Sequence, residues 1–340
     1  MSRPASPRIT VLGAGAWGTA LAAAIARNGL PVTLWGRDPE VIDAIAARAE
    51  NPRYLSGLAL PAGIAATTDA AAAAAAADLL VFATPSYTFR TVLRAMATVI
   101  ERGIPFVWAC KGLEPETQRL MHEVVAEELP GPPAHGVLSG PSFAREVAAG
   151  LPTALTMASA DADFAARVVG AFHGSGLRVY SSPDILGVEL GGALKNVLAI
   201  ACGAADGLGF GANARAAVIT RGLAELMRLG ERMGARRETF MGLAGIGDLV
   251  LTCTDDQSRN RRFGLAIARG LSPEAACAEI GQAVEGLRTA RAADALAQSH
   301  AVEMPIVHQV NAVLHEGVDP RVAVQALLER DPKEEIPHAG

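Results

Sequence analysis

The chain is 340 residues long and half hydrophobic, with 30 Lys and Arg against 35 Asp and Glu and a formal net charge of −5. That length and apolar content support a large buried core in two domains rather than one, and the acidic balance supplies no basic face for nucleic acid. Cys110, Cys202, Cys253 and Cys277 form no CxxC pair, which argues against a disulfide framework or a zinc site, and no other grouping of His, Cys, Asp and Glu suggests a metal.

The N-terminal segment Met1 to Arg8 lacks an apolar stretch of its own, which argues against a signal peptide. The run Leu79 to Thr84 is too short to span a bilayer, and the longer apolar run after Lys195 reads as broken by glycines and Asp206. The expectation is a cytoplasmic protein without a membrane span.

Ile9-Thr-Val-Leu12 reads as a strand, and Thr19 to Asn28 as the helix after it. Between them lies Gly13-Ala-Gly15-Ala-Trp-Gly18. A glycine loop joining strand to helix is the dinucleotide-binding pattern: Gly13 permits the tight turn, Gly15 lets backbone approach a pyrophosphate, and Gly18 lets the helix pack on the strand. The free N–H groups of the helix start then face the phosphates. Ala16 and Trp17 are expected in the loop itself, touching the dinucleotide.

The second strand, Val32 to Trp35, ends in Gly36-Arg37-Asp38. An acidic residue there reads the ribose 2′-OH of NADH and an arginine accommodates the 2′-phosphate of NADPH; both are present, and NADPH is favoured. Ala70 to Ala77 reads as a helix with Asp69 as its N-cap. Further strands at Leu79 to Ala83 and Phe106 to Ala109, with helical stretches at 88–102 and 116–128, imply a doubly wound parallel sheet of Rossmann type. Ligands sit at the carboxyl ends of such strands. The loops expected there are Thr84-Pro-Ser86, Cys110-Lys111-Gly-Leu, and Ser139-Gly140-Pro-Ser142-Phe-Ala144-Arg-Glu146 following the strand Val137-Leu138. Lys111 follows an apolar strand directly and points toward the crevice.

After the strand Leu177 to Tyr180 the pattern becomes helical, at 217–233, 265–269, 272–280, 283–299 and 321–330. This sets a dinucleotide-binding domain at 1–186, an all-helical substrate domain at 187–330, and a flexible tail at 331–340. Lys195 stands near the start of an apolar helical run, where it either snorkels to water or is buried with a pKa lowered toward the range of proton transfer. Asp248 and Thr252 are four residues apart and share a face if helical. Ser258-Arg259-Asn260-Arg261-Arg262 opens a helix and offers an arginine fork for a phosphate monoester. Val284-Glu285-Gly286 could reach a nicotinamide or ribose, although its composition by itself reads simply as helix.

The segments Gly13 to Leu21, Lys111-Gly-Leu, Ser139 to Glu146, Gly187 to Asn196 and Gly245 to Gly264 together resemble the bacterial NAD(P)-dependent sn-glycerol-3-phosphate dehydrogenase family. The resemblance implies reversible reduction of dihydroxyacetone phosphate at C2 to sn-glycerol 3-phosphate for glycerophospholipid synthesis, in a homodimer. It makes Lys195 the general acid and lines the substrate with Lys111, Gly140, Ser142, Asp248, Ser258, Arg259 and Asn260. It brings Ala16, Trp17, Arg37, Tyr54, Lys111, Ala144, Arg259, Ala283 and Glu285 to the cofactor. Ser142 and Ala16 stand where relatives often have threonine and serine. A β-hydroxyacid dehydrogenase would share the glycine loop and a catalytic lysine on a helix of the second domain but not a phosphate-gripping Arg259 cluster, whereas a silent cofactor sensor would bind the cofactor without needing Lys195.

Overall fold

A computed structural model describes residues 6–330, so the tail expected at 331–340 lies outside the described residues. The first half alternates strands and helices: β1 (Ile9–Leu12), α1 (Ala16–Arg27), β2 (Val32–Trp35), α2 (Pro39–Arg48), β3 (Ile64–Thr67), α3 (Ala70–Ala75), β4 (Leu79–Phe82), α4 (Phe89–Ile100), β5 (Phe106–Trp108), α5 (Met121–Glu128), β6 (His135–Ser139), α6 (Ala144–Ala149), β7 (Thr153–Ala158), α7 (Ala162–Phe172) and β8 (Leu177–Ser182). Helices follow: α8 (Ile185–Gly207), α9 (Gly211–Met233), α10 (Arg237–Phe240), α11 (Asp248–Thr254), α12 (Arg259–Ala268), α13 (Pro273–Ile280), α14 (Glu285–Ser299), α15 (Pro305–His315) and α16 (Pro320–Leu328).

The strands form one sheet in the order β3-β2-β1-β4-β5-β6-β7-β8. Every pair is parallel except β6 with β7, which run antiparallel. Strands of a parallel sheet covered by helices are apolar on both faces. Accordingly Val81 and Val107 enter the core under α1, whereas Phe82, Phe106 and Trp108 enter the core on the opposite face. The chain leaves β1 toward β2 on one side and pairs with β4 on the other, so the crevice opens at the carboxyl ends of β1 and β4.

Several elements differ from the sequence reading. Helix α1 starts at Ala16, so Ala16 and Trp17 occupy its first turn rather than the loop. Helix α5 starts only at Met121, because Glu114 ties the preceding loop: its carbonyl accepts from Gln118 N at 2.8 Å, and its N–H donates to the Arg119 carbonyl at 2.9 Å. Helix α9 begins earlier than its apolar periodicity suggests, whereas α12 opens at Arg259 behind Ser258, where the basic cluster is read to open a helix. Asp69 caps α3 as expected, accepting from Ala72 N at 2.9 Å.

The last strand ends at Ser182, so the boundary drawn at 186/187 falls in the first turn of α8. Helix α8 is long and apolar enough to cross a membrane, yet 83% of its most apolar window is buried inside the protein. Its glycines do not break it; they are spacers. A Cβ on Gly203 would meet the Arg261 carbonyl oxygen at 2.0 Å, which is how closely α12 lies against α8. Lys195 is therefore in the middle of a buried helix, the eleventh of 23 residues, and not near a helix start.

Candidate active site

The glycine loop divides its work between packing and access. Gly13 has φ +123, and a Cβ there would sit 2.9 Å from the backbone of Ala83. A Cβ on Gly18 would fall 1.8 Å from the Gly13 carbonyl oxygen, so α1 can lie on β1 only without a side chain there. Gly15 meets nothing within 4 Å, and it caps α1 without a side-chain hydrogen bond. Its openness therefore faces the crevice, where the unsatisfied N–H groups of the first turn point. Thr84 and Ser139, at the ends of β4 and β6, have buried hydroxyls with no hydrogen-bond partner among the described residues. An open helix start and orphaned hydroxyls at strand ends fit a dinucleotide.

Lys111 and Lys195, from the two halves of the chain, converge on one carboxylate. Lys195 Nζ donates to Asp248 Oδ1 and, at 2.9 Å, to Thr252 Oγ1. Lys111 Nζ donates to Asp248 Oδ2 at 2.8 Å and to the Gly140 carbonyl at 2.8 Å, with Ser142 Oγ at 3.5 Å. Asp248 and Thr252 share the face of α11 that their spacing predicts. Lys195 is 7% exposed and Asp248 1%. Burial lowers the Lys195 pKa to about 8; the Asp248 charge opposes that, and the Lys111 charge adds to it. Trp17 lies alongside, its Nε1 donating to the Ala109 carbonyl at 3.1 Å and its ring centroid 6.0 Å from Lys111 Nζ.

Arg259 opens α12. Burial lowers its pKa while the Glu285 charge raises it, and it has no hydrogen bond or ion pair among the described residues. Glu285, in the first turn of α14, accepts from Ser86 Oγ at 3.1 Å, and burial raises its pKa.

A family model described as the NAD-dependent glycerol-3-phosphate dehydrogenase N-terminus matches residues 8–165, and its C-terminal counterpart matches residues 184–325. The chain belongs to this family. A glycerol-3-phosphate dehydrogenase [NAD(P)+] of Thioalkalivibrio sulfidiphilus is 57% identical over 97% of this chain and 99% of its own length. One from Halorhodospira halophila is 54% identical over 96% and 98%. The crystal structure of glycerol-3-phosphate dehydrogenase from Coxiella burnetii superposes with a TM-score of 0.92 at 48% identity, covering 96% of this chain and all of that one.

The structure does not bring every expected side chain to the centre. The arginine fork is not one: Arg261 is held by Asp206 at 2.6 Å and Asp256 at 3.0 Å, and Arg262 is exposed to solvent, so of the three only Arg259 is both half-buried and without an ion pair among the described residues. Ser258 caps α12 by accepting from Arg261 N at 3.2 Å. The Asn260 amide is tied to Asn196 Oδ1 and to Gly286 N, both at 2.9 Å, and so locks α12 to α8 and α14. Ala283 is exposed in the loop before α14, and Ala144 is the half-buried first residue of α6.

At the adenosine end, Arg37 is exposed and has no ion pair among the described residues. Asp38 is committed twice, capping α2 through Glu40 N at 3.1 Å and pairing with Arg53 at 2.6 Å. Tyr54 is half-buried under Arg53, whose guanidinium lies 5.5 Å from its ring. Asn51 escaped the sequence reading. It is fully buried, its amide donates to the Ala14 carbonyl at 3.0 Å, and its Oδ1 accepts from Tyr54 N at 3.1 Å, so the Tyr54 loop is fastened to the glycine loop. Neighbouring Pro52 and Arg53 make that loop look like surface, and only the aliphatic company of a buried amide would have marked it.

Proposed function

We propose that the chain catalyses reversible reduction of dihydroxyacetone phosphate at C2 to sn-glycerol 3-phosphate, with Lys195 as the general acid and, in reverse, the base. The observation that carries this reading is the pair of ammonium groups held on the Asp248 carboxylate beside the dinucleotide crevice. Reduction of a ketone builds negative charge on its oxygen, and a preorganised cation in a dry site stabilises that charge. A bound reduced nicotinamide supplies the hydride. Lys195, with its pKa near 8, is mostly protonated at neutral pH yet acidic enough to release its proton to the nascent alkoxide. Lys111, held on the other oxygen of the Asp248 carboxylate, adds a second amine beside the same ketone oxygen. Gly140 and Ser142 shape its surroundings, and Arg259 holds the substrate phosphate, whose binding energy orients the carbonyl.

NADPH is favoured over NADH because Asp38 is already spent on a helix cap and an ion pair, whereas Arg37 stands free to meet a 2′-phosphate. Residues 1–186 bind the cofactor and 187–330 supply Lys195, Asp248 and Arg259. Tyr54, Trp17, Ala16, Ala144, Ala283 and Glu285 complete the cofactor's surroundings. The enzyme works as a cytoplasmic homodimer that feeds glycerophospholipid synthesis. The test is direct: dihydroxyacetone phosphate is mixed with the protein and with NADPH or NADH separately, and loss of the reduced cofactor is followed. No consumption with either cofactor would refute the reading; faster consumption of NADH would refute the Arg37 argument alone.

A further inference from the structure

Glu189 takes no part in the chemistry above, although it is a carboxylate only 6% exposed in the middle of the protein. Its Oε1 accepts from Trp108 Nε1 at 2.8 Å and from the His122 backbone N–H at 3.1 Å, and its Oε2 is hydrogen-bonded to His122 Nδ1. Burial pulls the His122 pKa down, but the Glu189 hydrogen bond and charge outweigh it, so the imidazole is a cationic partner over a wider pH range. The three contacts join three elements. Trp108 ends β5, three residues before Lys111; His122 lies in α5; Glu189 lies in α8, six residues before Lys195. Six residues of helix are about 9 Å of rigid rod. Between the tie and the amines, α8 passes so near the strand ends that a Cβ on Gly192 would come within 2.8 Å of Ser139 Oγ and 3.5 Å of Lys111 Cγ.

We propose that Glu189 is a positioning residue that fixes the catalytic helix against the end of β5, and so sets the distance between Lys195 and Lys111 across their shared Asp248. Apolar packing alone allows α8 to slide, because its contacts with the strands are made by glycines and aliphatic chains. A buried carboxylate that has an indole N–H, a backbone N–H and an imidazole as partners has one low-energy place to sit. A shift there is transmitted along α8 to Lys195, and misplacement of a reacting group by an ångström is enough to lose much of the rate.

The proposal rests on the role assigned to Lys195, and the experiment separates the two. Glu189→Ala and Trp108→Phe should each lower kcat for dihydroxyacetone phosphate by about tenfold or more, with the NADPH Kd from calorimetry unchanged. The alkaline limb of kcat should move to higher pH, because a displaced helix lets water reach Lys195 and raises its pKa. Glu189→Gln keeps an acceptor for both N–H groups and should restore most of kcat. A fall in Tm with kcat and the alkaline limb left at wild-type values would mean a merely structural tie and overturn the proposal. A Gln variant as impaired as the Ala variant would do the same. Should Glu189→Ala fail to fold, Trp108→Phe decides on the same two readouts. A wild-type protein inactive on dihydroxyacetone phosphate would defeat the assignment of Lys195, whereas an active wild type with normal variants defeats only Glu189.

Discussion

Asp248→Asn is the sharpest test of the charge arrangement, because both amines depend on that one carboxylate. An ammonium about 3 Å from a carboxylate gains roughly 5.5 kcal/mol at an effective dielectric near 20, which as a ceiling is about 4 pKa units. The asparagine carbonyl still accepts a hydrogen bond and the site relaxes, so the Lys195 pKa should fall by about 1 to 2 units. In the wild type burial has already brought it to about 8, with Asp248 the largest opposing influence, so in the variant it falls to neutrality or below. The acid must be protonated to work, so kcat/KM for reduction declines above pH 8 in the wild type, and the variant's decline should begin 1 to 2 units lower. At pH 7.5 a pKa of about 6.5 leaves roughly a tenth of Lys195 protonated. With the loss of orientation added, kcat/KM should fall on the order of 100-fold. The assay is initial NADPH consumption with dihydroxyacetone phosphate across pH 6 to 10, and folding is checked by Tm. An alkaline limb that stays in place, or that moves upward, would refute the assignment of Lys195 as the acid whose pKa Asp248 supports.

Three further outcomes follow from individual contacts. Arg259→Ala removes the half-buried, unpaired guanidinium at the start of α12 and should raise KM for dihydroxyacetone phosphate by about tenfold or more, with a much smaller change in the NADPH Kd; equal effects on both would mean that Arg259 serves the cofactor as well. Arg37→Ala should weaken NADPH binding by about tenfold and leave NADH nearly unaffected, as measured by KM for each cofactor. Gly15→Ala should fold normally and bind cofactor less tightly, because its Cβ meets nothing but the crevice, whereas Gly18→Ala should lower Tm, because its Cβ would lie 1.8 Å from a backbone oxygen. If both variants lose stability alike, the division between packing glycine and access glycine is wrong.

The parts legible in the sequence are those whose chemistry repeats at short range. The glycine loop declares itself because strand, turn and helix are contiguous from Ile9 to Arg27. The strands β4 and β5 declare themselves because burial on both faces leaves an unbroken apolar run. Two strands went unread: β3 is Ile64-Ala-Ala-Thr67, half exposed at the sheet edge, and β7 carries alanine and methionine where β-branched residues would signal it. The antiparallel step at β7 is set by pairing with β6, which no local pattern encodes. The Asp248–Thr252 spacing showed the shared face. What it could not show is that Lys111, 137 residues away, reaches the same carboxylate.

The position of Lys195 follows from the same distinction. In the sequence its flanking glycines read as breaks, putting the lysine near a helix start and leaving snorkelling to water and burial both open. In the fold Gly191, Gly203 and Gly264 are contact points, and a Cβ at any of them would stand within 2.3 Å of a neighbouring backbone oxygen. Helix propensity loses about 1 kcal/mol at each such glycine, and close approach of the Ala244 turn before α11 and of α12 recovers it through burial. That closeness keeps water from Lys195 and brings its pKa near 8. The glycines that weaken α8 locally are thus part of what lowers the pKa of its lysine. Gly203→Ala should accordingly separate α8 from α12, admit water, raise the Lys195 pKa and carry the alkaline limb upward, the opposite direction from Asp248→Asn. A limb that moved the same way in both variants would show that burial is not what sets this pKa.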